Sequence, residues 1–216
     1  QASLVVLLQE LKPHQHPHKL TLCDLLGSEK RLQELAQKLR QNTAYRGEIR
    51  VYTTRTLIPT EVYQARLMIA AVSSAKVIDV MQLKPGTLLV DDSFPHCFDL
   101  SKAKERMQQQ QDVVIVGGGL LGLHCLQREM YLPMEHPAVK EALSRSFLAH
   151  SLPGCQVESL LIANRPDLPH TQGLVQARQA REYLKTIREM GLFTVKPHLE
   201  GFILPPKLIQ AVANFK

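Results

Sequence analysis

The residue types with the most chemistry to offer here are a cysteine, two histidines and an acid near it. Cys155 follows Pro153 and Gly154 and precedes an apolar-periodic run. That pattern places its sulfur in the first turn of a helix. A helix N-terminus favours a negative charge by about 0.3–1 kcal/mol, and the thiolate is the nucleophilic form of cysteine. Spacing alone leaves two readings, a nucleophile or a buried structural thiol, and it favours the second. Glu158 lies three residues on, on the same helical face. It either orients a partner or caps the helix as an early acid, and the cap is the stronger reading. His124 follows Gly117-Gly118-Gly119-Leu120-Leu121-Gly122. A histidine near a strand end could donate a proton to a developing oxyanion, although most so placed are merely hydrogen-bonded. His150 carries the same two readings.

These residues need elements to position them. Ser3 to Leu11 reads as a helix, stopped by Pro13 and Pro17. Leu20 to Cys23, ending at Asp24, reads as a buried strand. Glu29 to Arg40 carries Leu32, Leu35, Ala36 and Leu39 at helical spacing, with Ser28 as the expected N-cap. Further strands are expected over Glu48–Thr53, Leu67–Val72, Thr87–Asp91 and Val113–Val116. A polar helix is expected over Ser101–Gln111. Beyond Gly119 the alternation stops. Helices are expected over Pro137–Ser151, Cys155–Ala163, Gly173–Met190 and Lys207–Phe215. Strands alternating with helices indicate an α/β fold with a parallel sheet. Nearly continuous apolar strands imply helices on both faces.

Composition narrows the function classes. The chain has 216 residues, 44% of them hydrophobic and 21% charged, as in an ordinary globular protein. No run of about 18 uncharged apolar residues exists, so no transmembrane helix is expected. The net charge of +6 is spread along the chain, and Trp is absent. That is compatible with an acidic partner and is not a nucleic-acid footprint. Four widely spaced cysteines, none in a C-x-x-C pair, fit reduced thiols and a cytoplasmic location.

A nucleotide-binding Rossmann domain is one option within this class. It begins strand, Gly-rich turn, helix, then a strand ending in an acid about 20 residues on. The helix, second strand and acid (Asp24) are here; the first strand and Gly-rich turn are not. The chain is therefore expected to be the C-terminal part of a longer reading frame. A helix on a different doubly wound sheet is the alternative. Asp24 would accept from an adenosine ribose, favouring NADH, while Ser28, Lys30 and Arg31 could hold a 2′-phosphate instead; a turn-starting Asp24 is the bland reading. Ser73 and Ser74 follow a strand where a cofactor commonly crosses a sheet edge. Gly117, Gly118 and Gly119 allow close backbone approach, by a nicotinamide or in a mere flexible turn. They lack the G-x-G-x-x-G spacing. His14, His16 and His18 alternate as a metal site might require, but a solvated loop is favoured, and no metal is expected.

Three stretches, in order, resemble one family. They are Leu83-Lys84-Pro85-Gly86-Thr87-Leu88-Leu89-Val90-Asp91-Asp92-Ser93-Phe94-Pro95, Val113-Val114-Ile115-Val116-Gly117-Gly118-Gly119-Leu120-Leu121, and Cys155-Gln156-Val157-Glu158-Ser159-Leu160-Leu161. The family is the long-chain acyl-[acyl carrier protein] reductases, whose C-terminal half is a Rossmann domain. The helix around Lys185 to Phe193 is similar too. The resemblance implies that Cys155 accepts the acyl group by thioester exchange. It also implies NADPH as cofactor, and acyl carrier protein or acyl-CoA as substrate.

The expected architecture is a Rossmann-like doubly wound parallel sheet lacking its first strand and Gly-rich turn, with a helical C-terminal segment. The NAD(P)-binding domain is expected over 1–136, and the segment with the candidate Cys over 137–216. The resemblance implies NAD(P)H-dependent reduction of a fatty acyl thioester to an aldehyde, an oxidoreductase activity. The alternatives are a shikimate- or amino-acid-type dehydrogenase without covalent catalysis, and a non-catalytic nucleotide-binding subunit module. An upstream domain or partner chain would supply the Gly-rich turn.

Overall fold

A computed structural model describes residues 2–122, 151–170 and 175–215. Among these residues the fold is mixed α/β, with six helices and two parallel sheets. The chain divides into two compact units. The first is Gln1–Ala65 with Pro169–Leu184, and the second is Arg66–Leu168 with Lys185–Lys216. The boundary expected at 136/137 lies outside the described residues. No described helix is long and apolar enough to cross a membrane.

In the first unit, helix α1 spans Ala2–Glu10, β1 Lys19–Leu25, α2 Glu29–Asn42 and β2 Glu48–Thr54. β1 and β2 pair in parallel, from Lys19 opposite Glu48 to Leu25 opposite Thr54. Leu32, Leu35 and Leu39 recur at helical spacing, so α2 turns one apolar stripe inward. They bury against Val5 and Leu8 of α1, Leu22 of β1, and Tyr45. Glu29 opens α2 and Arg40 closes it, each sign matched to the helix dipole. Ser28 sits at the N-cap position but makes no capping hydrogen bond: its backbone, at ψ 3°, is not extended as a cap requires, and its hydroxyl accepts from Arg31.

Tyr45 is fully buried, and its hydroxyl donates to the Glu48 carbonyl at 2.9 Å. Gly47 faces it closely: a Cβ there would lie 2.2 Å from the Tyr45 hydroxyl and 2.5 Å from the His18 carbonyl. The carbonyl is backbone and cannot swing away. Gly47→Ala should therefore cost about 1–3 kcal/mol, read as a lower urea midpoint. An unchanged midpoint would show that this turn yields.

In the second unit, β3 (Leu67–Ala70), β4 (Leu88–Asp91) and β5 (Val114–Gly117) form a parallel sheet in that order. Helix α3, Leu100–Gln109, links β4 to β5. The Asp99 side chain caps it, accepting from the Ser101 and Lys102 amides. Ala103, Arg106 and Met107 form its buried face. Burial on both sheet faces is not what β3 shows: its residues alternate, with Leu67 and Ile69 about half exposed and Met68 and Ala70 buried. β3 is the sheet's edge, and that side of it is about half exposed.

The C-terminal part is more than helical. β6 (Leu120–Gly122) lies between β7 (Ser151–Pro153) and β8 (Phe193–Thr194) in an antiparallel sheet. Helix α4, Gly154–Asn164, starts directly from β7. Helix α5 spans Ala177–Glu189, and its first part belongs to the first unit. β9 (His198–Leu199) and β10 (Phe202–Ile203) form a hairpin, and α6 spans Pro206–Ala213. Strands of two or three residues are too short for any periodicity to announce them.

Candidate functional site at the sheet's C-terminal edge

In open α/β sheets, ligands bind beyond the carboxyl ends of the strands. In the second unit those ends are Ala70, Asp91 and Gly117, and three segments leave them. The segment after β3 carries Ser73 and Ser74, both exposed. It runs beside the segment after β4: the Val72 amide donates to the Ser93 hydroxyl at 3.0 Å, and the Ile78 amide to the Cys97 carbonyl at 2.8 Å. The segment after β5 is Gly118-Gly119, and the Gly118 amide donates to the Asp91 carbonyl at 2.7 Å.

Two of the three glycines, Gly118 and Gly119, leave little space for side chains. A Cβ on Gly118 would meet the Asp92 Cβ at 3.3 Å, and one on Gly119 would meet Asp92 Oδ1 at 2.6 Å. Gly119 also has φ +78°, a backbone region that a side chain disfavours. Asp92 thus lies against Gly119. Partial burial first, and then the neighbouring Asp91 charge, raise its pKa.

The same glycine run holds the start of α4. The Gly154 amide donates to the Gly119 carbonyl at 2.7 Å, and Leu120 pairs with Pro153. Cys155 is the next residue, in the helix's first turn and exposed. The sequence places Cys155 in a first helical turn, and that is where it stands. Glu158 follows within the same helix, half-buried. Cys155 and Gly117–Gly119 are therefore brought together, with Ser73 and Ser74 at the same sheet edge. His124 and His150 lie outside the described residues.

Asp24, Ser28, Lys30 and Arg31 belong to the first unit. Arg31 is paired with Asp24 Oδ2, and Asp24 Oδ1 accepts from the Leu25 amide at 2.7 Å. The Asp24 carboxylate, expected to meet a ribose, is thus engaged by its own chain. His14, His16 and His18 do not converge: His16 turns inward to donate to the Leu8 carbonyl at 2.8 Å, and the other two are exposed. Among the described residues, no three His, Cys, Asp or Glu side chains are grouped to hold a metal ion.

Sequence reasoning passed over the polar cluster at the end of β4. Asp91 is buried, and its Oδ1 accepts from the Ser93 amide at 3.2 Å. His96 donates from Nδ1 to Asp91 Oδ2 at 2.8 Å and from Nε2 to Glu200 Oε1 at 2.7 Å. Burial alone would lower the His96 pKa, but the two carboxylates outweigh it and raise it. Cys97 is buried, and burial foremost, then Asp91, push its thiol far up. It is the inert counterpart of Cys155. An acid ending an apolar strand ahead of a Pro-His pair was the available signal. No protein-family model matches the chain, and no curated protein matches it at a significant level.

Proposed function

We propose that the chain reduces a fatty acyl thioester, carried on acyl carrier protein or coenzyme A, to an aldehyde with NAD(P)H through an acyl-enzyme on Cys155. One observation carries the reading most of the way: the helix start that bears Cys155 is hydrogen-bonded to Gly119, at the C-terminal edge of a parallel sheet. A reactive cysteine belongs in an exposed, electropositive place, and the first turn of α4 is one. The pairings of β1 with β2, and of β3, β4 and β5, are parallel and in chain order. A Rossmann sheet likewise keeps its second and third strands adjacent, and its fourth, fifth and sixth.

Cys155 Sγ would add to the thioester carbonyl. The bond from that carbonyl to the donor's sulfur breaks, and the donor leaves as a thiol with the proton that Cys155 gave up. A bound reduced nicotinamide would supply the hydride that displaces Cys155 as thiolate. Gly118 and Gly119 could offer such a ring only their backbone, since Asp92 fills the space where a Cβ would stand. Glu158 lies beyond the first turn of α4, which holds no acid, and so does not cap the helix. In the first unit Arg31 and Asp24 engage each other, so neither a 2′-phosphate nor a ribose hydroxyl is favoured there, and NADPH rests on the family resemblance. The net charge of +6 is compatible with an acidic carrier protein.

The test is intact-protein mass spectrometry after incubation with a long-chain acyl-CoA. The expected result is one added acyl mass in the wild type and none in Cys155→Ala. An adduct that survives in the variant, or none in the wild type, rejects the acyl-enzyme and favours a dehydrogenase without covalent catalysis.

A further inference from the structure

We propose that His96 is a protonated latch that fastens the turn of the β9–β10 hairpin to the sheet's C-terminal edge, and that loss of its proton frees that turn. Both His96 nitrogens are bonded to carboxylates, at 2.8 Å and 2.7 Å. An ionised carboxylate only accepts, and a neutral imidazole has one N–H. Two such bonds therefore require the imidazolium. Protonating Asp91 instead is disfavoured, because it also accepts from the Ser93 amide and the Cys97 thiol.

Burial disfavours the cation, and the carboxylates around it outweigh burial. Asp91 faces His96 from β4, with Asp92 next to it in the chain. Glu200 faces it from the hairpin turn. On its own segment lie the Cys97 thiol and the Phe98 ring, stacked at 5.2 Å. From the segment after β3, only the Lys76 amide reaches it, at the His96 carbonyl. The Lys76 ammonium is paired with Asp99 at 3.3 Å. The raised His96 pKa agrees with this arrangement.

The two ends of the latch are unequal. Asp91 is buried and held by other donors, whereas Glu200 is about half exposed. On proton loss, the remaining N–H stays with Asp91 and Glu200 is let go. Strand β9 is itself anchored, with His198 and Leu199 buried, so what proton loss frees is the Glu200-Gly201 turn between the two-residue strands. Both turn residues have positive φ, +46° and +78°, as a type I′ turn demands, and glutamate is a poor residue for that region. β9 carries His198, whose Nε2 lies 3.5 Å from where a Cβ on Gly117 would be. The latch does not depend on the reaction proposed for Cys155.

The pH direction follows. A histidine that binds its proton more tightly when folded contributes fully below its unfolded pKa of about 6.5. The contribution is lost as pH rises through the folded value. Imidazole NMR titration of the full chain should find His96 titrating above about 6.5, with Glu200→Gln moving it down. Hydrogen exchange at residues 200–203, corrected for intrinsic rate, should rise about tenfold through that titration, as for loss of one charge-assisted hydrogen bond. In His96→Gln the exchange should be fast throughout and free of that step. An ordinary His96 titration, one that Glu200→Gln leaves unmoved, or exchange that ignores it overturns the latch.

Discussion

Arg106→Ala should destabilise the second unit by about 3–5 kcal/mol, the cost of breaking a buried ion pair from one side. Arg106 is only 3% exposed. Its guanidinium forks onto Asp112, Nε to Oδ1 at 3.0 Å and Nη2 to Oδ2 at 2.9 Å. It also donates to the Val80 carbonyl, and to the Leu83 carbonyl at 2.8 Å. One side chain thus ties α3 to the turn before β4 and to the start of β5. Alanine would strand a carboxylate and two carbonyls away from water. The melting temperature should fall by roughly 6–20 °C, at about 2–4 °C per kcal/mol for a body of this size. Arg106→Lys should recover little, because an ammonium cannot reproduce the fork. A loss below about 1 kcal/mol would show that water replaces the guanidinium.

The second large effect is expected at Asp91. Asp91→Ala removes the acceptor of the Ser93 amide and of His96 Nδ1, and leaves the His96 cation with Glu200 alone. The expected cost is again about 3–5 kcal/mol. Asp91→Asn separates charge from shape. Its carbonyl can keep the Ser93 bond, and its amide can donate to a neutral His96. It should therefore cost less than alanine and lower the His96 pKa. Urea unfolding with histidine NMR reads both. Equal losses for Asn and Ala would mean that the charge, not the hydrogen-bond geometry, dominates.

The α/β class, most helices and the ends of β4 and β5 were legible in the sequence. So was the position of Cys155, because Pro153-Gly154 ahead of a periodic apolar run leaves one place for a helix to start. Arg106 was not: on a polar helix it reads as a solvated cation, and only tertiary packing turns it inward. The His96 pair was not legible either. Its partner is 104 residues away in the sequence, and the two-residue strands that present it have no period to detect. A Glu-Gly dipeptide between apolar pairs was the one local cue. Ser28 shows the reverse failure, a residue of the right type at the right place whose backbone is not extended and whose hydroxyl accepts from Arg31. The apolar run of β3 reads as buried because hydropathy does not record which face a neighbour covers.

The first unit is discontinuous along the chain: Pro169–Leu184 belongs with Gln1–Ala65. That late segment packs Ala177 against the unit's core, and Arg181 reaches back to Gln9. A ribosome makes residues 66–168 before it makes this piece. At ribosomal rates that is a delay on the order of ten seconds, during which the nascent N-terminal unit waits with one flank of its core uncovered. The early half of the chain can finish folding only when the late half arrives. Its exposure to chaperones and proteases during synthesis is therefore set by the length of what is inserted within it.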